Sequence, residues 1–216
     1  MRILSLIVVL TLLAGCAASS QSRVATYASP ALLTETPARI VVVPFDAGRC
    51  SRENAAVVSQ AVSLAVQDTL QVDVVSASPR DERLTAESVL WRRGRVDVGA
   101  LVEAQRDYMA DAFLFGAITN YKPYEPPILG LKLRLLSART GDVLWAAEGV
   151  FDARDRDVRE TVIDYFKRSG LRGKLVGSEF IFMSPTQYAT FVAQEMLQPL
   201  RGKFARLQAK ARQDQR

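Results

Sequence analysis

The 216 residues contain no histidine. That absence removes the commonest general base and the commonest metal ligand. Ser-His-Asp and Cys-His arrangements are excluded with it, and no G-x-x-x-x-G-K-[ST] phosphate loop occurs. Carboxylate-only or Ser-Lys chemistry is left open by composition, but no motif marks a place for it. The expectation is therefore a protein that is not an enzyme, with no catalytic residue, metal ligand or cofactor. The nearest thing to a cation site is Asp152-Ala153-Arg154-Asp155-Arg156-Asp157, whose three carboxylates could gather calcium. Arg154 and Arg156 oppose a cation, and the spacing is not that of an EF-hand loop. Helix capping at a strand-to-helix turn accounts for these residues. Tyr121-Lys122-Pro123-Tyr124-Glu125-Pro126-Pro127 is the most distinctive loop. Its prolines could present Tyr121 and Tyr124 to a partner, because rigid aromatics make good anchors. The plainer expectation is a hairpin connection whose tyrosines cover the sheet edge. Phe180-Ile181-Phe182-Met183 poses the same choice between core packing and an exposed docking patch, and packing is favoured.

The two cysteines stand in different settings. Cys16 follows Arg2, an almost wholly apolar run from Ile3 to Leu13, and the small residues Ala14 and Gly15. The run is too short to cross a bilayer, which takes about 20 residues, and suits the hydrophobic region of a secretory signal. Leu13-Ala14-Gly15-Cys16 resembles the lipobox of bacterial lipoproteins, [LVI]-[AST]-[GA]-C, at all four positions. The resemblance implies cleavage before Cys16, diacylglycerol on its sulfur and an acyl group on the new amino terminus. Two or three acyl chains such as palmitate hold a protein to a membrane almost permanently. Ala17, where an aspartate would favour inner-membrane retention, points to the outer membrane, facing the periplasm. Cys50 is then a lone thiol in an oxidising compartment. It is expected to pack near a strand end, with an intermolecular disulfide and a homo-oligomer as the alternative.

Removing residues 1–15 leaves one domain of ordinary size. The net charge of +5 is mild, and the surplus gathers in Arg201, Lys203, Arg206, Lys210, Arg212 and Arg216. That cluster reads as a solvated tail, with acidic lipid, lipopolysaccharide or cell-wall polymer as alternative contacts. Nucleic acid is not an expected partner, because the basic residues are not interleaved with aromatics.

Residues 16–37 are rich in Ala, Ser, Thr and Pro and read as a lipidated flexible tether. The domain is expected over 38–212. Ile40 to Phe45 is a β-branched run suited to a strand buried on both faces. Ser51 can cap a helix to about Leu70, and Val72 to Val75 completes a β-α-β unit with parallel strands. Weak helical patterns follow over 77–110. Strands are then expected over Asp111–Tyr121, Leu129–Leu136 and Val143–Phe151. In the middle one, Leu131, Leu133 and Leu135 alternate with Lys132 and Arg134. Asp157 with Glu160 suggests a capping box opening a helix; residues 174–183 stay unassigned. Ser184-Pro185-Thr186-Gln187 is the clearest helix start, and Pro199 should kink or restart that helix. The fold class is thus α/β: a mixed sheet with a β-α-β unit, then a three-stranded antiparallel meander, flanked by helices.

Three stretches, Ile40 to Phe45, Ala110 to Tyr121 and the Leu131 to Trp145 hairpin, resemble the family of the curli-secretion lipoprotein and the lipoprotein activators of penicillin-binding proteins. Their core is likened to the amino-terminal domain of TolB. The resemblance covers roughly residues 38–168 and implies a lipoprotein acting by protein contact. No paired ten-residue alternating segments are present to build a lipid-facing barrel wall, which argues against a pore. The function expected is a non-catalytic outer-membrane accessory that assembles or stabilises an envelope complex such as a flagellar, pilus or secretion apparatus. An activator of a cell-wall (peptidoglycan) synthase is the alternative. A small-ligand carrier or hydrolase is the alternative of another class.

Overall fold

The computed structural model describes residues 23–48, 50–84, 98–169 and 177–214. The signal segment, Cys16, Trp91 and the glycines at 94, 170 and 173 lie outside them. The strands are β1 (Val24–Ala28), β2 (Arg39–Val42), β3 (Asp73–Ser76), β4 (Ala112–Lys122), β5 (Ile128–Ser137) and β6 (Val143–Asp152). The α-helices are α1 (Arg52–Leu70), α2 (Val98–Tyr108), α3 (Arg156–Arg168), α4 (Glu179–Met183) and α5 (Pro185–Asp214). One sheet runs in the order β1-β6-β5-β4-β2-β3. β2 is parallel to β3 and β4, while β4, β5 and β6 form the antiparallel meander. The expected fold class is the one observed.

β2 forms because its β-branched residues fit a strand flanked and covered on every side. Ile40 and Val42 belong to one core, and Val41 and Val43 to the other. Regular pairing stops where Pro44 has no N–H to give. The chain then re-pairs with β4, Asp46 N donating to the Gly116 carbonyl at 2.9 Å. The first face of the sheet carries Leu129, Leu131, Leu133 and Leu135 and is covered by α1, α3, α4 and α5. Phe191 on α5 is its hub. It meets Phe151 edge-on at 5.7 Å, Tyr165 at 5.4 Å and Tyr188 at 5.8 Å. The second face packs Phe113, Phe115 and Leu136 beneath Leu84 and the α2 residues Leu101 and Ala104. On that face Lys132 and Glu148, opposite each other on β5 and β6, pair at 2.8 Å. Ser51 caps α1, its Oγ accepting from Asn54 N at 3.2 Å. Ser184 caps α5 with a longer bond of 3.4 Å to Gln187 N.

Four expectations need correction. Residues 24–28, read as part of the tether, form β1 against β6, and Pro30–Leu33 is a 3-10 turn. The register puts Val24 and Ala28 on the first face, and Leu32 is buried. Along β1, Thr26 and Ala28 on the first face are small while the outward Tyr27 is large, which hides the periodicity. The tether therefore ends by residue 23. Second, α3 begins a residue before Asp157, after Asp155, and no capping box forms. Glu160 instead accepts from Arg156 Nε at 2.8 Å. Third, the helix does not restart at Pro199: α5 is one helix from Pro185 to Asp214. The proline faces solvent while Leu197, Leu200 and Phe204 are buried on either side of it. Burial worth about 1.5–3 kcal/mol per large side chain outweighs the roughly 3 kcal/mol lost at the proline. Fourth, the unassigned stretch ends in α4.

A Cβ on Gly116 would stand 2.3–2.4 Å from the ring carbons of Phe45. Gly116→Ala should therefore cost about 1–3 kcal/mol by overpacking, and Phe191→Ala about 3–5 kcal/mol by leaving a cavity. Both are read as lowered urea midpoints.

Candidate interaction surface

The β4-β5 loop owes its shape to a bulge. Ile118 pairs with Leu131, but Asn120 pairs with Gly130, so Thr119 is an extra residue. Thr119 and Asn120 both lie over Gly130, where an added Cβ would meet Thr119 Oγ1 at 2.4 Å and Asn120 Oδ1 at 3.0 Å. The bulge reverses the alternation and turns Tyr121 back to the first face, opposite Leu129. Tyr121 is half-buried against the core, with Cys50 nearby. Burial raises its hydroxyl pKa, and the neighbouring Cys50 and Tyr124 add to the effect. Tyr124 is 74% exposed. The two tyrosines singled out from sequence thus divide: Tyr121 is packing, and Tyr124 is surface. Strict alternation along the strand gives no hint of this, because the bulge is a tertiary feature.

The acidic run beside this loop is tied to arginines. Ala153 N donates to the Pro127 carbonyl at 3.0 Å, joining the run to the loop. Arg154 N and Nε donate to Asp152 Oδ1, each at 2.9 Å. That hydrogen bonding holds the Asp152 carboxyl below its ordinary pKa. Asp155 and Asp157 face Arg23 at 3.6 and 3.7 Å. Among the described residues, no three of Cys, Asp and Glu are grouped to hold a metal ion. In α4, Ile181 is buried and Phe182 meets Tyr188 at 6.2 Å, whereas Phe180 and Met183 are exposed. Packing and exposed patch are thus both present in one short helix. Cys50 is half-buried, and desolvation pushes its thiol pKa up, which lowers thiolate reactivity at neutral pH.

Two further clusters escape a reading by sequence. Arg83 donates to both oxygens of Asp81 at 2.9 and 2.8 Å, and to Asp107 at 2.8 Å. Tyr108 donates to Asp81 at 3.2 Å and accepts from Ser78 N at 3.1 Å. This network fastens the turn at Glu82–Leu84 to α2. A cleft of about 200 Å³ is lined by Arg23, Val24, Phe151, Thr161, Glu195, Gln198 and Pro199. Desolvation raises the Glu195 carboxyl pKa, opposed by Arg168 at 3.2 Å. The cleft is smaller than the roughly 300–1,000 Å³ usual for ligand pockets. No helix among the described residues is long and apolar enough to cross a membrane.

No protein-family model and no curated protein matches the chain. Solved structures do. The PelC dodecamer from Paraburkholderia phytofirmans is 16% identical, with 82% of this chain and 96% of that one covered at a TM-score of 0.52. Lipoprotein GNA1162 from Neisseria meningitidis is 15% identical, with 65% and 100% covered at 0.40. The LpoB C-terminal domain from Salmonella enterica is 13% identical, with 53% and 82% covered at 0.37. The structural neighbours thus include a bacterial lipoprotein, and the likeness at these identities is one of fold.

The network around Asp81 carries a pH signature. Arg83 above all, helped by Tyr108, holds the Asp81 carboxyl below its ordinary pKa. A carboxylate with a lower pKa folded than unfolded stabilises the fold above the unfolded value. That contribution is lost as pH falls through the folded value. Asp81→Asn should lower the urea midpoint at neutral pH, and its midpoint should then fall less than that of the parent on acidification.

Proposed function

We propose that the protein is a non-catalytic lipoprotein held to the outer membrane through Cys16. Its α/β domain faces the periplasm and acts as an assembly or stabilising accessory of an envelope-spanning machine of the flagellar, pilus or secretion class. The observation that carries this reading is how the domain uses its side chains. The acidic run and the Asp81 network are committed to arginines that brace turns and helix starts, while large side chains such as Tyr27, Leu33 and Leu64 are left on the surface. Such a surface suits contact with other molecules better than chemistry on a small one. The likeness to the PelC dodecamer supports a fold able to assemble with copies of itself, and a homo-oligomer is part of this reading.

Crosslinking in intact cells, followed by identification of what is joined to the chain, tests it. The expected products are self-crosslinks and components of one envelope machine; recovery of a cell-wall synthase alone would overturn the reading. Cys16→Ala should leave the chain unlabelled by radioactive palmitate and uncleaved at residue 15. A variant that still incorporates palmitate contradicts the anchoring.

A further inference from the structure

The first strand decides which part of the domain lies next to the lipid. Val24 sits opposite Gly149, so the chain enters the sheet at the end where β6 finishes, β5 begins and β4 finishes. Arg23 is held there by Asp155 and Asp157. Only seven residue steps separate Cys16 from Arg23. Even fully extended they span about 23–25 Å. From Gly149, opposite Val24, back to the start of β6 at Val143 is six residue steps, about 20 Å. If the opposite end of the sheet, at the Thr140-Gly141 turn, rested on the membrane, the seven residue steps would have to run almost fully extended along the sheet to return Cys16 to it.

That same end carries a group of exposed apolar side chains. Tyr124 is 74% exposed on the loop between β4 and β5, and Met183 is 70% exposed on α4. Phe180 stands on α4 as well. α4 is placed there through Phe182, which meets Tyr188, whose hydroxyl donates to the Phe151 carbonyl at 3.0 Å near the end of β6. The charges at this end carry no positive surplus: the three arginines Arg23, Arg154 and Arg156 face the four carboxylates of Asp155, Asp157, Asp152 and Glu160. The basic tail is elsewhere. α5 starts near Phe151, passes Gly149 at Met196 and meets Trp145 at Leu197 and Leu200, so Arg201, Lys203 and Arg206 run towards the opposite end.

We propose that this end of the sheet is the membrane-contacting face, and that Tyr124, Phe180 and Met183 enter the boundary between head groups and acyl chains of the leaflet that holds Cys16. An aromatic ring with a polar tip suits that boundary. With no surplus of positive charge at this end, the contact is apolar rather than electrostatic. The basic tail of α5 points into the periplasm. The proposal rests on the lipid anchor at Cys16 argued above.

The test uses the acylated protein purified from cells in a Cys50→Ala background. Single substitutions Tyr124→Cys, Met183→Cys and Met109→Cys each take an environment-sensitive fluorophore. Met109 is the control: it is 70% exposed and precedes β4 at the opposite end. The labelled proteins are reconstituted in vesicles of phosphatidylethanolamine and phosphatidylglycerol, with and without brominated acyl chains. Labels at 124 and 183 should shift to the blue and be quenched severalfold more than the label at 109. Acylated, vesicle-bound protein whose labels at 124 and 183 are quenched no more than that at 109 overturns the orientation and leaves the anchor standing. Absence of acyl mass on the Cys16 peptide overturns the anchor, and the orientation with it.

Discussion

Burial of β2 on both faces is the constraint from which the rest of the fold follows. Four successive β-branched residues send Ile40 and Val42 into one core and Val41 and Val43 into the other. Each must be taken out of water, for about 1.5–3 kcal/mol, so each face of the sheet needs a cover. The first face takes the long α5 together with α1 and α3. The second takes α2 and the turn at Leu84. A strand covered on both faces also needs neighbours on both edges, because its N–H and C=O groups have no water to bond. β3 and β4 supply them in parallel, and the β-α-β crossover through α1 is the connection that parallel pairing demands.

The polar chemistry of the domain is subordinate to this packing. Asp111 accepts from the backbone N–H groups of Ala38 and Arg39 at 2.9 and 2.8 Å, which starts β2 in register. Glu35 accepts from Ser137 Oγ at 2.9 Å and pairs with Arg139, fastening the segment after the 3-10 turn to the β5-β6 turn. That fastening lowers the Glu35 pKa, through the Ser137 hydrogen bond first and Arg139 second. Each of these acids joins segments distant in sequence. Exposed ion pairs add little stability; Asp111 acts mainly by satisfying backbone groups, and both carboxylates choose which segments meet.

Much of the fold is legible in the sequence because its signals are local and strong. The run at Ile40 to Val43, the alternation from Leu129 to Leu135 and the serines before Arg52 and Pro185 mark elements that the structure contains. The failures share a cause. β1 is an edge strand whose Thr26 and Ala28 on the first face are small and whose outward Tyr27 is large, so only its partner β6 reveals it. The bulge at Thr119 reverses the faces of β4 without any special residue to announce it. Pro199 could restart the helix, and packing on either side keeps it one. At the surface, Tyr121 and Tyr124 look alike in the sequence and have different fates.

By itself the sequence determined the strands from β2 to β6, the apolar faces that must be buried and the lipobox resemblance at Cys16, because each is written in adjacent residues or in a short period. Only the tertiary structure decided where the chain enters the sheet, which tyrosine is free, and which end of the domain stands beside the tether. Those depend on the pairing of Val24 with Gly149 and on one bulged residue. Both are contacts between segments far apart in the chain, whose pairing no local pattern encodes.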